Sequence, residues 1–437
     1  MRAPSGWLSL MIHAATSFSS SRWSKEGESP TSIGLPRTSP TGLVGRDRAP
    51  TRHPSNKSRL WMNNRKHDRG ARPFRGCAAS GFPRLSTLAI GILLLGCASL
   101  VSGSCAGGGG DPVEVSRRIK VRGAELYVEI QGSNRSAPLL LWLHGGPGGP
   151  ERPLFRYFNS DLERHFLVAY LDQRGAGRSF DRTADTTRLT VAQHLEDLGV
   201  VINDLRRAYA KEKIYLVGHS WGTVLGLLHA KAHPETVAAL ICVAPVVSFS
   251  EQQRREYDFD LAEAKRRGES DTVAELRKLG VPPYQTVDKV AALERITMRY
   301  GGVDFEPRNR TAIAIHGVLL GLATPWEIPR FIEGLHVTQR AMHAELLGVD
   351  MRREVSAIDV PLFFFLGRHD RHVDADLAAG YFEALRAPKK VLRWFERSAH
   401  NVPFDEPRLF NERVVQAIQS IEHGRLIDDR APRARRD

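Results

Sequence analysis

A serine set between glycines has the sequence context of an enzymatic nucleophile. Residues 218–222 read GHSWG, a G-x-S-x-G pattern, and follow directly after the apolar run 214–217. The residues after the pattern have helical periodicity, and the glycines permit a tight turn that lifts the serine hydroxyl above a sheet. The same pattern arises by chance in Gly-rich helix starts, but a strand before it and a helix after it predict that Ser220 is a nucleophile.

A serine hydroxyl is a poor nucleophile unless a base takes its proton and a carboxylate orients that base. In proteins with this type of turn, the acid and then the histidine follow the serine, each just after a late strand. Asp370 follows the apolar run 362–366, and His400 follows the run 391–395. We therefore predict Asp370 as the acid and His400 as the base.

Other titratable residues lie close to Asp370 in the sequence. His369 and His372 flank it, and Asp374 and Asp376 follow. The two aspartates are expected to cap and begin the next helix, where carboxylates interact favourably with the helix dipole. For the two histidines, surface or supporting positions are the simpler interpretation.

Attack on a carbonyl group also requires backbone N–H groups aimed at the developing negative charge. One is expected from Trp221, and the other from the loop 144–149, HGGPGG, after the apolar run 139–143. Glycines let a backbone approach a substrate closely, so Gly146 is the predicted second donor. A phosphate-binding loop is disfavoured because the spacing is not G-x-G-x-x-G and no G-K-[ST] follows. His144 is expected to anchor the loop.

The hydrophobic pattern predicts the elements that position these residues. Residues 115–121 and 125–130 alternate apolar and polar side chains, which is typical of an antiparallel pair. Short continuous apolar runs follow, as strands buried on both faces of a parallel sheet require, at 139–143, 166–171, 214–217, 237–243 and 362–366. Residues 391–395 are predicted to form a further strand. Helical stretches separate these strands, so we predict an α/β fold, a mostly parallel central sheet with helices on both faces.

One interval interrupts the alternation of strands and helices. Residues 249–345 hold helix-like segments without a buried-strand run. We expect a helical cap there, folded over the carboxyl edge of the sheet and inserted between two core segments, 111–248 and 346–424. The basic tail 425–437 is expected to be exposed to solvent.

Charge distribution bears on the class of partner. The 437-residue chain has a formal charge of +13, but residues 1–110 carry +11 and the rest only +2. A nearly neutral folded part offers no basic face, so nucleic-acid binding is disfavoured.

The four cysteines are unevenly placed, and no CxxC or HExxH pattern occurs. Neither a disulfide framework nor a metal site is predicted.

The amino-terminal part divides into two segments. Residues 1–61 lack apolar periodicity, which predicts a disordered segment or an over-extended gene start. Residues 62–110 hold a basic flank, the apolar run 85–101 and a Gly-rich tether, the pattern of an export signal. The LLGC sequence that ends at Cys97 predicts lipidation there, with an ordinary signal peptide or an uncleaved anchor as alternatives. The protein is thus expected to be exported, as a periplasmic or membrane-anchored lipoprotein or in secreted form.

Three motifs together resemble the proline iminopeptidase branch of the α/β-hydrolase superfamily. They are HGGPG at 144–148, DQRGAGRS at 172–179 and GHSWGT at 218–223, and the likeness spans residues 114–422. It implies a serine hydrolase without metal or organic cofactor that releases the N-terminal residue of short peptides. It also implies a triad and two oxyanion donors: Ser220, Asp370, His400, Gly146 and Trp221. The DQRG segment is expected to brace loops.

The predicted cap departs from this branch. Iminopeptidases of the branch hold the substrate amine with cap carboxylates, one in an Arg-Ile-Glu-Asn-like stretch, and residues 249–345 contain no such stretch. Glu327 and Glu333 are the candidate replacements, although a helix glutamate more often lies on a solvated face. An ester, lactone or amide of a small molecule is therefore the alternative substrate. A sensor or binding protein that keeps the fold without turnover is a further alternative. The sequence does not predict an oligomeric state.

Overall fold

The computed structural model describes residues 111–424, apart from the side chain of Arg310. The predictions for residues 1–61, 62–110 and 425–437, including lipidation of Cys97, lie outside the described residues. Within residues 111–424, no helix combines the length and the apolar character needed to cross a membrane.

Eight strands form one sheet in the order β1-β2-β4-β3-β5-β6-β7-β8. β2 pairs antiparallel with β1 and β4, and the other neighbours are parallel. The mostly parallel sheet confirms the predicted fold class, and each apolar run corresponds to a strand. The strands are β1 Val113–Val121, β2 Ala124–Gly132, β3 Leu139–Leu143, β4 Leu167–Asp172, β5 Ile214–His219, β6 Val237–Val243, β7 Leu362–Gly367 and β8 Lys390–Phe395.

Continuous apolar runs are explained by burial on both faces. In β3, Leu139, Leu141 and Leu143 belong to one apolar cluster, whereas Leu140 and Trp142 belong to the cluster on the opposite face. Side chains alternate along a strand, so a strand covered by helices on both sides must be apolar at every position.

Twelve α-helices are assigned within residues 111–424. In chain order they are α1 Arg152–Asn159, α2 Val191–Ala208, α3 Trp221–Ala232, α4 Phe249–Arg267, α5 Ser270–Leu279, α6 Val287–Arg299, α7 Arg310–Leu319, α8 Glu327–Leu346, α9 Met351–Glu354, α10 Ala375–Ala384, α11 Val402–Asp405 and α12 Pro407–Glu422. Helices α2, α3 and α10 contribute to the apolar cluster on one face, and α1 and α12 to that on the other.

Helices α4 to α8 form the segment between β6 and β7 for which the sequence predicts a cap. Ser248 and Asp350, where the chain leaves and returns, pair as an isolated antiparallel bridge. The segment has a small apolar cluster of its own that includes Tyr257, Leu276 and Leu293. The cap helices therefore pack against one another as well as against the core.

The cap rests on loops at the carboxyl ends of β3 and β4. Thr338 of α8 donates a hydrogen bond from Oγ1 to the carbonyl of Gly175 at 3.1 Å. A Cβ on Gly148 would lie 2.8 Å from the Thr338 side chain, and a Cβ on Gly334 would lie 2.7 Å from the Gly175 carbonyl. Glycines at these contacts allow the helix to approach the loops closely, which places the cap over the edge that carries the candidate site.

Candidate active site

Ser220 occupies a strained turn between β5 and α3. Its φ of 50° and ψ of −120° lie in a region that L-residues rarely adopt. Its N–H donates to the Val243 carbonyl of β6 at 3.0 Å, and Thr223 Oγ1 donates to the Ser220 carbonyl at 2.6 Å. These bonds hold the turn in this conformation, which is the strained strand-to-helix turn of a nucleophile elbow.

Asp370 and His400 form the predicted acid–base pair. Nδ1 of His400 lies 3.1 Å from Oδ2 of Asp370. Oδ1 of Asp370 accepts backbone N–H bonds from His372 and Val373 at 3.0 and 3.1 Å, which fix the carboxylate. The two loops that follow β7 and β8 thus bring together residues that lie 30 positions apart.

Burial and pairing set the protonation of both groups. Burial favours the neutral form of Asp370, but the charge and hydrogen bond of His400 outweigh it and lower the pKa of the carboxyl group. Burial lowers the pKa of His400 below that of an ordinary histidine, and Asp370 offsets only part of this effect. This direction favours the neutral imidazole that a general base requires.

The predicted oxyanion loop is fixed beside the nucleophile. A Cβ on Gly145 would lie 3.2 Å from Cβ of Ser220. Trp221 is the first residue of α3, so its N–H has no acceptor within the helix. Gly146 follows Gly145 with a φ of 113°, which favours glycine at this position. Gly146 and Trp221 therefore lie close to Ser220 along the loop and the helix, but their roles as oxyanion donors stay predictions.

His144 and Gln173 connect the oxyanion loop to the nucleophile turn. Gln173 donates its N–H to Nε2 of His144 at 3.0 Å and its side-chain NH₂ to the His144 carbonyl at 2.9 Å. Trp221 Nε1 donates to Oε1 of Gln173 at 2.9 Å. Burial lowers the pKa of His144, which suits the neutral imidazole that accepts this bond. His144 anchors the loop in this arrangement.

The remaining charged residues of the DQRG segment also brace loops. Arg174 forms two hydrogen bonds with Asp197 of α2, at 2.7 and 2.8 Å, and donates to the Arg122 carbonyl. Asp172 accepts the backbone N–H of Arg178 at 2.8 Å. Both acidic groups are buried, and Asp197 is paired with the Arg174 guanidinium. For Asp172, burial outweighs the nearby arginines and the Arg178 N–H and raises the pKa of the carboxyl group.

The candidate amine ligands Glu327 and Glu333 are already paired with arginines. Glu327 accepts from Nε of Arg178 at 2.5 Å and from Thr324, and Glu333 accepts from Arg182 Nε at 2.7 and 2.8 Å. Burial disfavours the Glu327 carboxylate, but these donors outweigh it and lower its pKa to about 2. The pairings argue against a free carboxylate at either position, and the amine-binding role stays a prediction.

A histidine inside the nucleophile motif has partners that the sequence analysis did not identify. Nδ1 of His219 lies 2.8 Å from Oε1 of Glu151, and Nε2 lies 3.2 Å from the carbonyl oxygen of His400. The His219 and His400 rings are 5.0 Å apart. The variable position of G-x-S-x-G gave no signal of this contact, because Glu151 is 68 residues away in sequence.

A second histidine contacts the base from the cap side. The His372 ring lies 4.8 Å from that of His400, and its Nδ1 lies 3.1 Å from Oε1 of Glu256 in α4. Burial opposes the charged form of His372, but Glu256 outweighs it and raises the pKa of His372 to about 10. Asp260, one turn further along α4, is also buried. Glu256 and Asp260 lie four residues apart and therefore share one face of α4. Because the helix is highly charged, its sequence does not indicate which face is buried.

The arrangement can perform nucleophilic chemistry on a carbonyl group. It places a hydroxyl on a strained turn, an imidazole paired with a carboxylate, and a Gly-rich loop at one edge of the sheet. In the part of the chain that the structure describes, no group of three or more His, Cys, Asp and Glu side chains is arranged to hold a metal ion.

Comparison with known proteins identifies the family of the chain. The alpha/beta hydrolase fold family matches residues 138–278. The probable aminopeptidase YbaC of Bacillus subtilis is 30% identical over 306 residues, which cover 68% of this chain and 94% of that protein. The proline iminopeptidase of Neisseria gonorrhoeae is 35% identical over 118 residues, 27% of this chain and 35% of that protein.

A solved structure shares the fold. The proline iminopeptidase-related protein of Thermus thermophilus superposes with a TM-score of 0.50 at 24% identity, covering 71% of this chain and 98% of its own. Identity at this level shows only a shared fold, whereas the match to the Bacillus subtilis protein, over 94% of its length, shows the family. The chain belongs to the α/β-hydrolase superfamily, in its proline iminopeptidase-like branch.

Proposed function

We propose that the protein is a serine hydrolase that releases the N-terminal residue of short peptides. The observation that carries the proposal is the strained turn after β5, which holds Ser220 at positive φ against the Gly145 backbone. The Asp370–His400 pair, on the loops after β7 and β8 of the same sheet, supports it. The names of the relatives, aminopeptidase and proline iminopeptidase, supply the substrate class.

The reaction follows from the roles of the groups. Ser220 Oγ forms a bond to the carbonyl carbon while His400 Nε2 takes the hydroxyl proton. Asp370 holds the proton on Nδ1, which keeps Nε2 free to accept and stabilises the imidazolium that forms. Backbone N–H groups of Gly146 and Trp221 stabilise the oxyanion. The imidazolium returns the proton to the leaving amine as the C–N bond breaks, and water then hydrolyses the acyl-enzyme by the same route.

A second candidate is hydrolysis of an ester, lactone or amide of a small molecule. The pairing of Glu327 and Glu333 with arginines favours it, because an aminopeptidase needs a carboxylate available to the substrate ammonium. The same nucleophile, base and oxyanion donors would act on either substrate.

The test compares purified protein with a Ser220→Ala variant on a prolyl anilide, an alanyl anilide, the amino-blocked form of each and a short-chain nitrophenyl ester. Aminopeptidase activity predicts strong cleavage of the free anilides and loss of cleavage when the amine is blocked. Turnover of the ester alone would replace peptidase by esterase. Activity that survives in Ser220→Ala would contradict the serine mechanism, and no turnover of any substrate would favour a binding protein.

We also propose that the protein is exported and tethered through Cys97. The proposal rests on the basic flank, the apolar run and the LLGC sequence of residues 62–110. Cell fractionation of the protein and a Cys97→Ser variant tests it. Lipidation predicts membrane association of the protein and its loss in the variant, whereas a cytoplasmic protein in both cases would refute export.

A further inference from the structure

His219 is enclosed by two hydrogen-bond acceptors. Its Nδ1 faces the Glu151 carboxylate at 2.8 Å, and its Nε2 faces the His400 carbonyl oxygen at 3.2 Å. The ring is also stacked on Trp142 at 6.1 Å, and it is almost completely buried. Burial shields the ring from bulk solvent, so each ring nitrogen must form its hydrogen bond with the neighbouring protein oxygen.

Two acceptors require two donors. A neutral imidazole has a single N–H, which would leave one nitrogen lone pair facing an oxygen lone pair, unless the proton sits on Glu151 instead. The Gly145 backbone beside the Glu151 carboxylate favours the ionised acid. Burial opposes both charges, but mutual attraction outweighs it, lowering the pKa of Glu151 and raising that of His219.

We propose that His219, protonated on both nitrogens and held by Glu151, is a positioning residue for the base His400. It fixes the backbone of the His400 loop through the carbonyl, and its charge favours the neutral form of the neighbouring imidazole. The proposal rests on the proposed serine hydrolase function. The His219–Glu151 pair also connects the His400 loop to the oxyanion loop, because a Cβ on Gly145 would lie 2.9 Å from Oε1 of Glu151.

The charged groups around the two rings define the expected direction. Asp370 faces His400 and favours its protonated form, whereas His219 and His372, itself paired with Glu256, oppose protonation. His219 is faced by Glu151 and Asp370, which favour its charge. Glu151 also interacts electrostatically with the buried His144, whose pKa is lowered by burial. Removing the His219 charge must therefore raise the pKa of His400.

The variant that tests this is Glu151→Gln, because it keeps the shape of the side chain and removes the partner of the His219 charge. The matched control is Glu163→Gln. The Glu163 side chain is 18% exposed against 16% for Glu151 and pairs with Arg156, away from the catalytic loops. Both are compared with wild type across pH 5 to 9, a window of about four units chosen to span ordinary and shifted histidine values.

Two readouts are measured on each protein. The first is the rate at which a fluorophosphonate labels Ser220, where the Oγ–P bond forms, the P–F bond breaks, fluoride leaves and the proton passes to His400. The second is the protonation of the His219 and His400 nitrogens by ¹⁵N NMR, assigned with His219→Gln and His400→Gln. Labelling needs no knowledge of the natural substrate, and the NMR measurement needs no activity.

We expect His219 to carry protons on both nitrogens at pH 8 in wild type and on one in Glu151→Gln. The acid limb of labelling and the His400 titration should both move up by about one pH unit in Glu151→Gln and stay unchanged in Glu163→Gln. A neutral His219 in wild type, or a uniform loss of rate with an unmoved His400 titration, would overturn the proposal. Absence of labelling in wild type would count against the serine hydrolase function, and the NMR titrations would still decide the role of His219.

Discussion

Gly222 lies directly against the end of β3, and a Cβ on Gly222 would come within 2.1 Å of the Leu143 carbonyl oxygen. Gly218 is similarly enclosed, because its Cβ would lie 2.6 Å from the Gly222 carbonyl oxygen. Within this turn, positive φ falls on Ser220 rather than on either flanking glycine. The glycines of the motif are therefore required by close backbone packing, and the strained conformation is placed on the nucleophile itself.

Gly222→Ala should destabilise the fold strongly. The new methyl group would collide with backbone atoms, which cannot rotate away as a side chain can, so we expect a loss of about 3 kcal/mol or failure to fold. Urea unfolding measures the loss. Gly199→Ala in α2 is the control, since its Cβ would meet no atom within 4 Å. Replacing a glycine inside a helix by alanine stabilises the helix. Equal effects of the two substitutions would contradict the packing argument.

Asp370→Asn should reduce kcat by about 10³- to 10⁴-fold with little change in stability. The amide cannot stabilise the imidazolium, and it favours the tautomer that carries its proton on Nε2, where the serine hydroxyl must donate. Asp376→Asn is the control, because that side chain is 77% exposed and pairs only loosely with Arg371, at 3.8 Å. Steady-state kinetics on whichever substrate is turned over decides the matter. A loss below about tenfold would remove Asp370 from the triad.

Glu327→Gln and Glu333→Gln test whether either carboxylate holds a substrate amine. Because Arg178 and Arg182 already neutralise them, we expect the ratio of KM values for a free and an amino-blocked anilide to change by less than about twofold. A selective rise in KM for the free amine, about tenfold or more, would instead support amine binding.

Glu327 should also contribute to the pH dependence of stability. Its pKa is lowered to about 2 from 4.5, so its contribution is complete above the unfolded value and is lost as pH falls toward 2. The thermal unfolding temperature should therefore fall less between pH 7 and pH 3 in Glu327→Gln than in wild type. An identical slope in both proteins would show that the Arg178 pair adds nothing to stability.

Asp260 should make the protein less stable as pH rises. Burial raises its pKa to about 8 from 3.8, although Thr297 donates to it at 2.8 Å. The folded state thus holds a proton that the unfolded state has lost, and stability falls between these two pH values. We expect Asp260→Asn to gain on the order of 1–2 kcal/mol relative to wild type at pH 8 and little at pH 4. Urea midpoints at the two pH values measure the difference, and an equal gain at both would contradict the assignment.

The sequence determined the sheet and its burial because each strand carries its own signal. Leu139–Leu143 and Val237–Val243 were predicted with the bounds that the structure gives, since a strand covered on both faces must be apolar throughout. The positions of Ser220, Asp370 and His400 after strands β5, β7 and β8 followed from the same pattern. Parallel strands end at one edge, so residues just beyond them meet there.

Partners across long sequence separations were decided by the tertiary structure alone. Glu151 reaches His219, Glu256 reaches His372, and Arg178 reaches Glu327, 149 positions away. A charged residue on an amphipathic helix has the same local pattern whether it faces water or a buried partner. Which charges are buried together depends on how the cap helices settle on the sheet, and that packing is a property of the whole fold rather than of any local segment.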